Sequence, residues 1–143
     1  MSNIIQNAIR IIDEDIILLS RSNHDYNEYK EYFVDGGRDY IRYGIPKGKE
    51  NNVEKLFLYE NDTIESFINK QIWGTRGKDG NEPLKWVKLK DCNEDHLKNI
   101  RDYIVKTNVA YIDDITIKTI DTILLQKRRN KINNILKNVN RKD

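Results

Sequence analysis

At 143 residues the chain fits one domain and can bury a core without a metal or disulfide staple. Its single cysteine, Cys92, excludes an internal disulfide and fits a reducing compartment. Charged residues make up 34% of the chain yet the net charge is only +2, which argues against a duplex-DNA binder.

The N-terminus, Met1-Ser2-Asn3-Ile4, lacks the basic start and apolar stretch of a signal peptide, and no apolar run is long enough to span a bilayer. A cytoplasmic protein with no membrane partner is expected. Residues 1–15 read as an N-terminal lead-in, 16–90 as mainly β, and 93–139 as helical. The apolar run Ile16-Ile17-Leu18-Leu19 predicts a short buried strand. Residues 29–34 lead through Asp35-Gly36-Gly37 into residues 38–45, a hairpin pattern because Asp-Gly supplies the positive φ of a tight turn. Alternation along the second strand places Ile41, Tyr43 and Ile45 on one face and Arg38, Tyr40 and Arg42 on the other.

Residues 46–52 read as a flexible loop and 53–59 as one well-covered strand. Asp62 is positioned to cap a short helix through Asn69, with Glu65 in a capping-box position and Ile64, Phe67 and Ile68 as its stripe. Residues 71–76 and 84–90 flank Asp79-Gly80 and predict a further hairpin. Asn93 starts a helix with Leu97, Ile100 and Ile104 on its apolar face. Asp113 or Asp114 is expected to cap a last helix whose stripe runs Ile117, Ile120, Ile123, Leu124, then Ile132, Ile135 and Leu136. The fold class that follows is α+β, an N-terminal antiparallel sheet built from hairpins followed by two C-terminal helices.

Chemistry narrows the candidates. His24, His96 and Cys92 are the only soft ligands, too few for a metal centre, and neither metal nor cofactor is expected. Cys92 and His96 have i, i+4 spacing, but a nucleophilic pair needs an activated thiolate and an orienting third group. His24-Asp25 suits a turn. No phosphate-loop, G-x-S-x-G or H-E-x-x-H pattern occurs, so no catalytic residue is assigned.

The richest segment is Trp73-Gly74-Thr75-Arg76-Gly77-Lys78-Asp79-Gly80-Asn81. An aromatic face stacks a base, Arg76 offers a planar fork for phosphate, and the glycines let backbone N–H groups form an anion nest. Asn81 carries both donors and an acceptor for a base edge or ribose hydroxyl. An ordinary hairpin with Trp73 in the core is the other reading of the same residues. Arg38, Tyr40 and Arg42 form a second candidate, a basic and aromatic strand face that resembles a nucleotide platform. Residues 127–142 hold seven basic and no acidic side chains; RNA or membrane contact is conceivable there, but a solvated helix end is favoured.

Four segments carry a resemblance: residues 33–44, residues 73–81, Pro83-Leu84-Lys85-Trp86-Val87-Lys88-Leu89, and Asp95-His96-Leu97-Lys98-Asn99-Ile100. Together they resemble the first described phage family of Thoeris anti-defence proteins, over roughly residues 16–105. The resemblance implies a non-enzymatic sponge that binds the TIR-derived signal glycocyclic ADP-ribose and holds it intact. It implies pockets at the junction of two protomers and a homo-oligomer built from dimers, with a hexamer as one assembly. The setting would be the cytoplasm of an infected bacterium. Some members also take up CBASS cyclic oligonucleotides at a separate site, which stays open for this chain.

Trp73, Thr75, Arg76, Gly77 and Asn81 lie in the matched block and are the expected ligand contacts. Arg101, read as lying opposite Leu97 and Ile104, is placed to reach a phosphate, and Arg38, Tyr40 and Arg21 are chosen on chemistry. An enzyme that degrades a cyclic nucleotide signal and a single-stranded nucleic-acid module are the alternatives.

Overall fold

The computed structural model describes residues 3–22, 25–77, 79–107 and 111–140. It is α+β: antiparallel strands, interrupted by one short helix, precede two longer helices. In chain order the strands are β1 (Ile4–Gln6), β2 (Ala8–Ile11), β3 (Ile16–Leu19), β4 (Asn27–Tyr29), β5 (Tyr32–Asp35), β6 (Arg42–Gly44), β7 (Val53–Lys55), β8 (Leu58–Tyr59), β9 (Ile72–Thr75) and β10 (Lys85–Lys88). The helices are α1 (Ile64–Lys70), α2 (Glu94–Thr107) and α3 (Tyr111–Asn140). The chain divides into two compact units, Met1–Leu89 and Lys90–Asp143.

In the first unit β2 is the central strand, paired antiparallel with β3 on one edge and β7 on the other. Its alternation explains why. Ile9 and Ile11 point into one cluster with Leu18, Tyr32 and Val34, while Ala8 joins Leu56 and Ile72 in another. Strand β3 supplies both, Ile16 and Leu18 to the first and Ile17 and Leu19 to the second. A strand covered on both faces has no reason to alternate with polar residues, and that accounts for the unbroken apolar run.

The lead-in expected over residues 1–15 is therefore corrected: it holds β1 and β2, and Ala8, Ile9 and Ile11 have no exposed surface. Two polar residues, Gln6 at the end of β1 and Asn7 just after it, pin distant segments. Gln6 Nε2 donates to the carbonyls of Leu56 (2.9 Å) and Lys70 (2.8 Å), and its Oε1 accepts from Ile72 N (3.0 Å). Asn7 does the same for the segment after β5, as described below.

Several boundaries differ from expectation. Residues 29–34 are not one strand: β4 and β5 form a hairpin that turns at Lys30, whose φ of 54° is left-handed. Residues 53–59 break at Leu56, because β7 pairs with β2 and β8 with β1. Residues 46–52 hold a hydrogen-bonded turn and a 3-10 turn at Glu50–Asn52. Thr63, not Asp62, caps α1 by accepting from Ser66 N, since the Asp62 carboxylate already accepts from Tyr59 N at 2.8 Å.

The second unit is a helical hairpin in which α2 packs on α3. Asn93 Oδ1 accepts from His96 N at 2.8 Å, the expected cap. Leu97, Ile100 and Ile104 are buried, as are Thr116, Thr119, Ile120, Ile123 and Leu124 of α3. Helix α3 begins at Tyr111, so Asp113 and Asp114 fall within its first turn and complement the dipole instead of capping it. Ile132, Ile135 and Leu136, expected in the buried stripe, are each more than half exposed. No helix among the described residues is long and apolar enough to cross a membrane.

Candidate nucleotide-binding site

The site begins with a turn. After β5 the chain runs through Gly36 (φ 101°) and Gly37 (φ 55°) before entering β6. A Cβ on Gly36 would lie 1.9 Å from the Tyr40 carbonyl oxygen, so only glycine allows the chain to close here. The folded turn aims three carbonyls at one amide: Asn7 Nδ2 donates to Asp35 O (2.9 Å), Gly37 O (3.0 Å) and Tyr40 O (3.2 Å). Three carbonyls around one nitrogen fix the amide orientation, because a flipped Asn7 would set oxygen against oxygen. Gly37 N in turn donates to the buried Ser20 Oγ at 2.7 Å.

Ser20 follows β3, and its backbone N donates to Asn7 O at 2.9 Å. Past it the chain turns at Asp25, whose carboxylate accepts from Arg21 N at 2.8 Å. Asp25 thus shows the turn expected for His24-Asp25; His24 itself lies outside the described residues. The Arg21 guanidinium stacks 4.6 Å from the centroid of the Trp86 ring. Trp86 of β10 lies directly opposite Gly74 of β9, and a Cβ on Gly74 would come within 2.9 Å of the indole. Gly74 is therefore the seat on which Trp86 lies flat.

Between these parts is a hollow of about 280 Å³ lined by Ile5, Asn7, Leu19, Ser20, Arg21, Arg38 and Trp86. It presents two guanidinium groups, one aromatic ring held by an apolar cluster, and a buried polar wall of Asn7 and Ser20. Asn7 Oδ1 is buried and has no hydrogen-bond partner among the described residues. Guanidinium forks match phosphate oxygens, and indole and guanidinium planes stack on bases. A larger hollow of about 410 Å³ is lined by Asp13, Glu14, Lys30, Glu31, Tyr32, Pro46 and Lys49. There Lys30 already pairs with Glu14 at 3.1 Å and three carboxylates stand nearby, a poor setting for an anion.

The structure thus brings Arg21 and Arg38 together and adds Trp86, Asn7, Ser20 and Ile5, which sequence reasoning did not select. Trp86 was visible only as part of the matched block; Asn7 sat in the supposed lead-in. The other expected contacts go elsewhere. Trp73 pairs with Val87 and so leaves the hairpin on the face opposite Trp86, half-buried. Arg76 and Asn81 are exposed at the hairpin end.

Among the described residues no anion nest is assembled there. Gly77 N is bonded to Thr75 Oγ1 (3.3 Å), Gly80 N to Gly77 O (3.2 Å), and the Glu82 carboxylate lies where a Gly77 Cβ would stand. Lys78 falls outside the described residues. The platform expected of Arg38, Tyr40 and Arg42 does not form, because Arg38 and Tyr40 belong to the turn and only Arg42 to a strand. Arg42 instead stacks 5.0 Å over Phe33 and pairs with Asp35 at 3.2 Å. Tyr40 contributes its carbonyl to the Asn7 clasp.

Arg101 is corrected as well. It is four residues from Leu97 and three from Ile104, hence at the rim of the same face, and its fork grips Asp121 at 2.7 and 3.3 Å. That hydrogen bond raises the guanidinium pKa and occupies the group expected to meet a phosphate. Cys92 is buried, and burial followed by the Asp91 charge pushes its thiol up, away from an activated nucleophile. No group of three His, Cys, Asp or Glu among the described residues is placed to hold a metal.

No family model, curated protein or solved structure matches the chain.

Proposed function

We propose that the chain is a phage anti-defence sponge that sequesters the TIR-derived signal glycocyclic ADP-ribose, intact, in the cytoplasm of an infected bacterium, and so keeps a Thoeris effector inactive. The observation that carries this reading is the convergence of Arg21, Arg38 and Trp86 on a hollow backed by Asn7 and Ser20. Each part answers a part of the ligand: two cations for a pyrophosphate and an indole for adenine. The residues that carry the family resemblance include both Arg38 and Trp86.

Size adds a second argument. Small-molecule pockets usually measure about 300–1,000 Å³. A hollow of about 280 Å³ holds part of a cyclic ADP-ribose, so a second protomer would complete the enclosure. This agrees with the interfacial pocket and dimer-based oligomer that the resemblance implies.

A sponge is separated from an enzyme by recovery. The protein is loaded with glycocyclic ADP-ribose, freed of unbound molecules and heat-denatured, and the released nucleotide is analysed. Intact signal at about one equivalent per site is expected. A hydrolysed or linear product, or no retention, overturns the proposal.

A further inference from the structure

Helix α3 has 30 residues against 14 in α2, so its far half has no partner within the helical hairpin. All of residues 128–139 are exposed. Propensity alone does not hold this segment helical: Asn130, Asn133, Asn134 and Asn138 are poor helix formers and leave it dependent on packing. Leu125, Ile132, Ile135, Leu136 and Val139 lie along one side of it, each with 49% to 56% of its surface exposed. At about 100° per residue, Lys127, Asn130, Asn134 and Lys137 fall on the opposite side.

Spacing and charge together identify what covers the stripe. Leu125, Ile132 and Val139 recur every seventh residue, with Arg128 and Ile135 between them, the 3-4 alternation of a two-helix seam. Arg128 is the one polar position in it. In a parallel pair Arg128 would face its own copy inside the seam, with no carboxylate beside it. In an antiparallel pair centred on Ile132, the two Arg128 residues stand eight positions apart, about 12 Å along the axis. Each can lay its stem on the partner's Leu136 and turn its head to water. Leu125 then meets the partner's Val139, and Ile132 meets itself.

The remaining charges favour the same direction. All three carboxylates of α3, Asp113, Asp114 and Asp121, lie in its first half, and five of its six Lys and Arg in its second. Antiparallel packing carries the basic end of one helix toward Asp121 of the other, whereas parallel packing stacks like on like. Lipid fits less well, because Lys127 and Lys137 would point away from a membrane that took the stripe. A nucleic-acid backbone would leave the aliphatic side chains in water.

We propose that residues 125–139 of α3 pair antiparallel with the same residues of a second copy, about a two-fold axis at Ile132. This gives the homo-oligomer proposed above a contact that uses none of the residues lining the hollow, and in that respect it rests on the sponge reading.

Cysteine cross-linking of the full, nucleotide-free chain tests the pairing, with wild type, whose one cysteine is buried, as the blank. Ile132→Cys should oxidise to a covalent dimer. Leu125→Cys and Val139→Cys should each stay largely unlinked alone and link when mixed, since only the antiparallel register brings them within reach of each other. In sedimentation equilibrium Ile132→Lys should weaken self-association by about tenfold or more, the worth of one buried aliphatic side chain. Lys137→Ala, on the far side, should leave it unchanged. No link through Ile132→Cys, or Leu125→Cys linking to itself as readily as to Val139→Cys, would overturn the proposal. So would a chain that stays monomeric until anionic vesicles or RNA are added. Intact glycocyclic ADP-ribose recovered from a chain that does not cross-link would refute the pairing alone, and the expected cross-links without nucleotide retention would refute the sponge alone.

Discussion

Two turns in the first unit are built from nearly the same residues and do different things. Asp35-Gly36-Gly37-Arg38 and Arg76-Gly77-Lys78-Asp79-Gly80 each combine glycine, aspartate and arginine. The first is held from outside itself, by Asn7 through three carbonyls and by Ser20 through Gly37 N, and it delivers Arg38 to a hollow. The second satisfies its own hydrogen bonds through Thr75 and the closure of Glu82 N on Arg76 O at 2.9 Å, and leaves Arg76 in solvent. Residue type made both candidates; the long-range anchor separates them.

Removing that anchor should have the largest effect. Asn7→Ala deletes three hydrogen bonds, two of them buried, and removes the donor those carbonyls share, at about 3 kcal/mol or more. Chemical denaturation should show this as a lower midpoint with an unchanged slope. Next, Gly36→Ala should cost on the order of 3 kcal/mol, because the added carbon meets Tyr40 O and φ is positive. Gly80→Ala meets open space and bears only the φ penalty, about 1 kcal/mol. Equal losses at the two glycines would erase the distinction between the turns.

Ligand binding should separate them further. Arg21→Ala or Arg38→Ala is expected to weaken capture of glycocyclic ADP-ribose by about 10- to 100-fold, the usual worth of a charged hydrogen bond to phosphate. Arg76→Ala should change it by less than about threefold, as an exposed charge acting at a distance. Isothermal titration calorimetry reads both. The smallest effect is expected at Arg101: breaking its exposed pair with Asp121 should leave capture unchanged.

Much of the fold was legible, and the reasons for the rest are local. The Ile16–Leu19 strand, the hairpin of β9 and β10, the Asn93 cap and the Leu97, Ile100, Ile104 stripe all rest on interactions within a few residues. Strands β1 and β2 were missed because Gln6 and Asn7 interrupt their apolar pattern and their meaning lies far along the chain. Gln6 bonds to Leu56 and Lys70, and Asn7 to the turn after β5. The cap of α1 slipped by one residue because Asp62 and Thr63 are both competent and only the Tyr59 amide decides between them.

The site was half legible for the same reason. Arg21 and Arg38, each chosen on chemistry, line one hollow. Trp86 and not the expected Trp73 lines that hollow, and composition cannot say which face of a hairpin each residue takes. One step of β register, Trp86 opposite Gly74 and Trp73 opposite Val87, sends the two indoles in opposite directions.

Those two turns also supply the most direct measurement of the central claim. Wild type, Arg38→Ala and Arg76→Ala are each loaded with glycocyclic ADP-ribose, stripped of free nucleotide and denatured, and the intact signal released is quantified. Wild type and Arg76→Ala should return about one equivalent per site, and Arg38→Ala close to none. Full recovery from Arg38→Ala together with loss from Arg76→Ala would place the ligand at the hairpin tip and contradict the account.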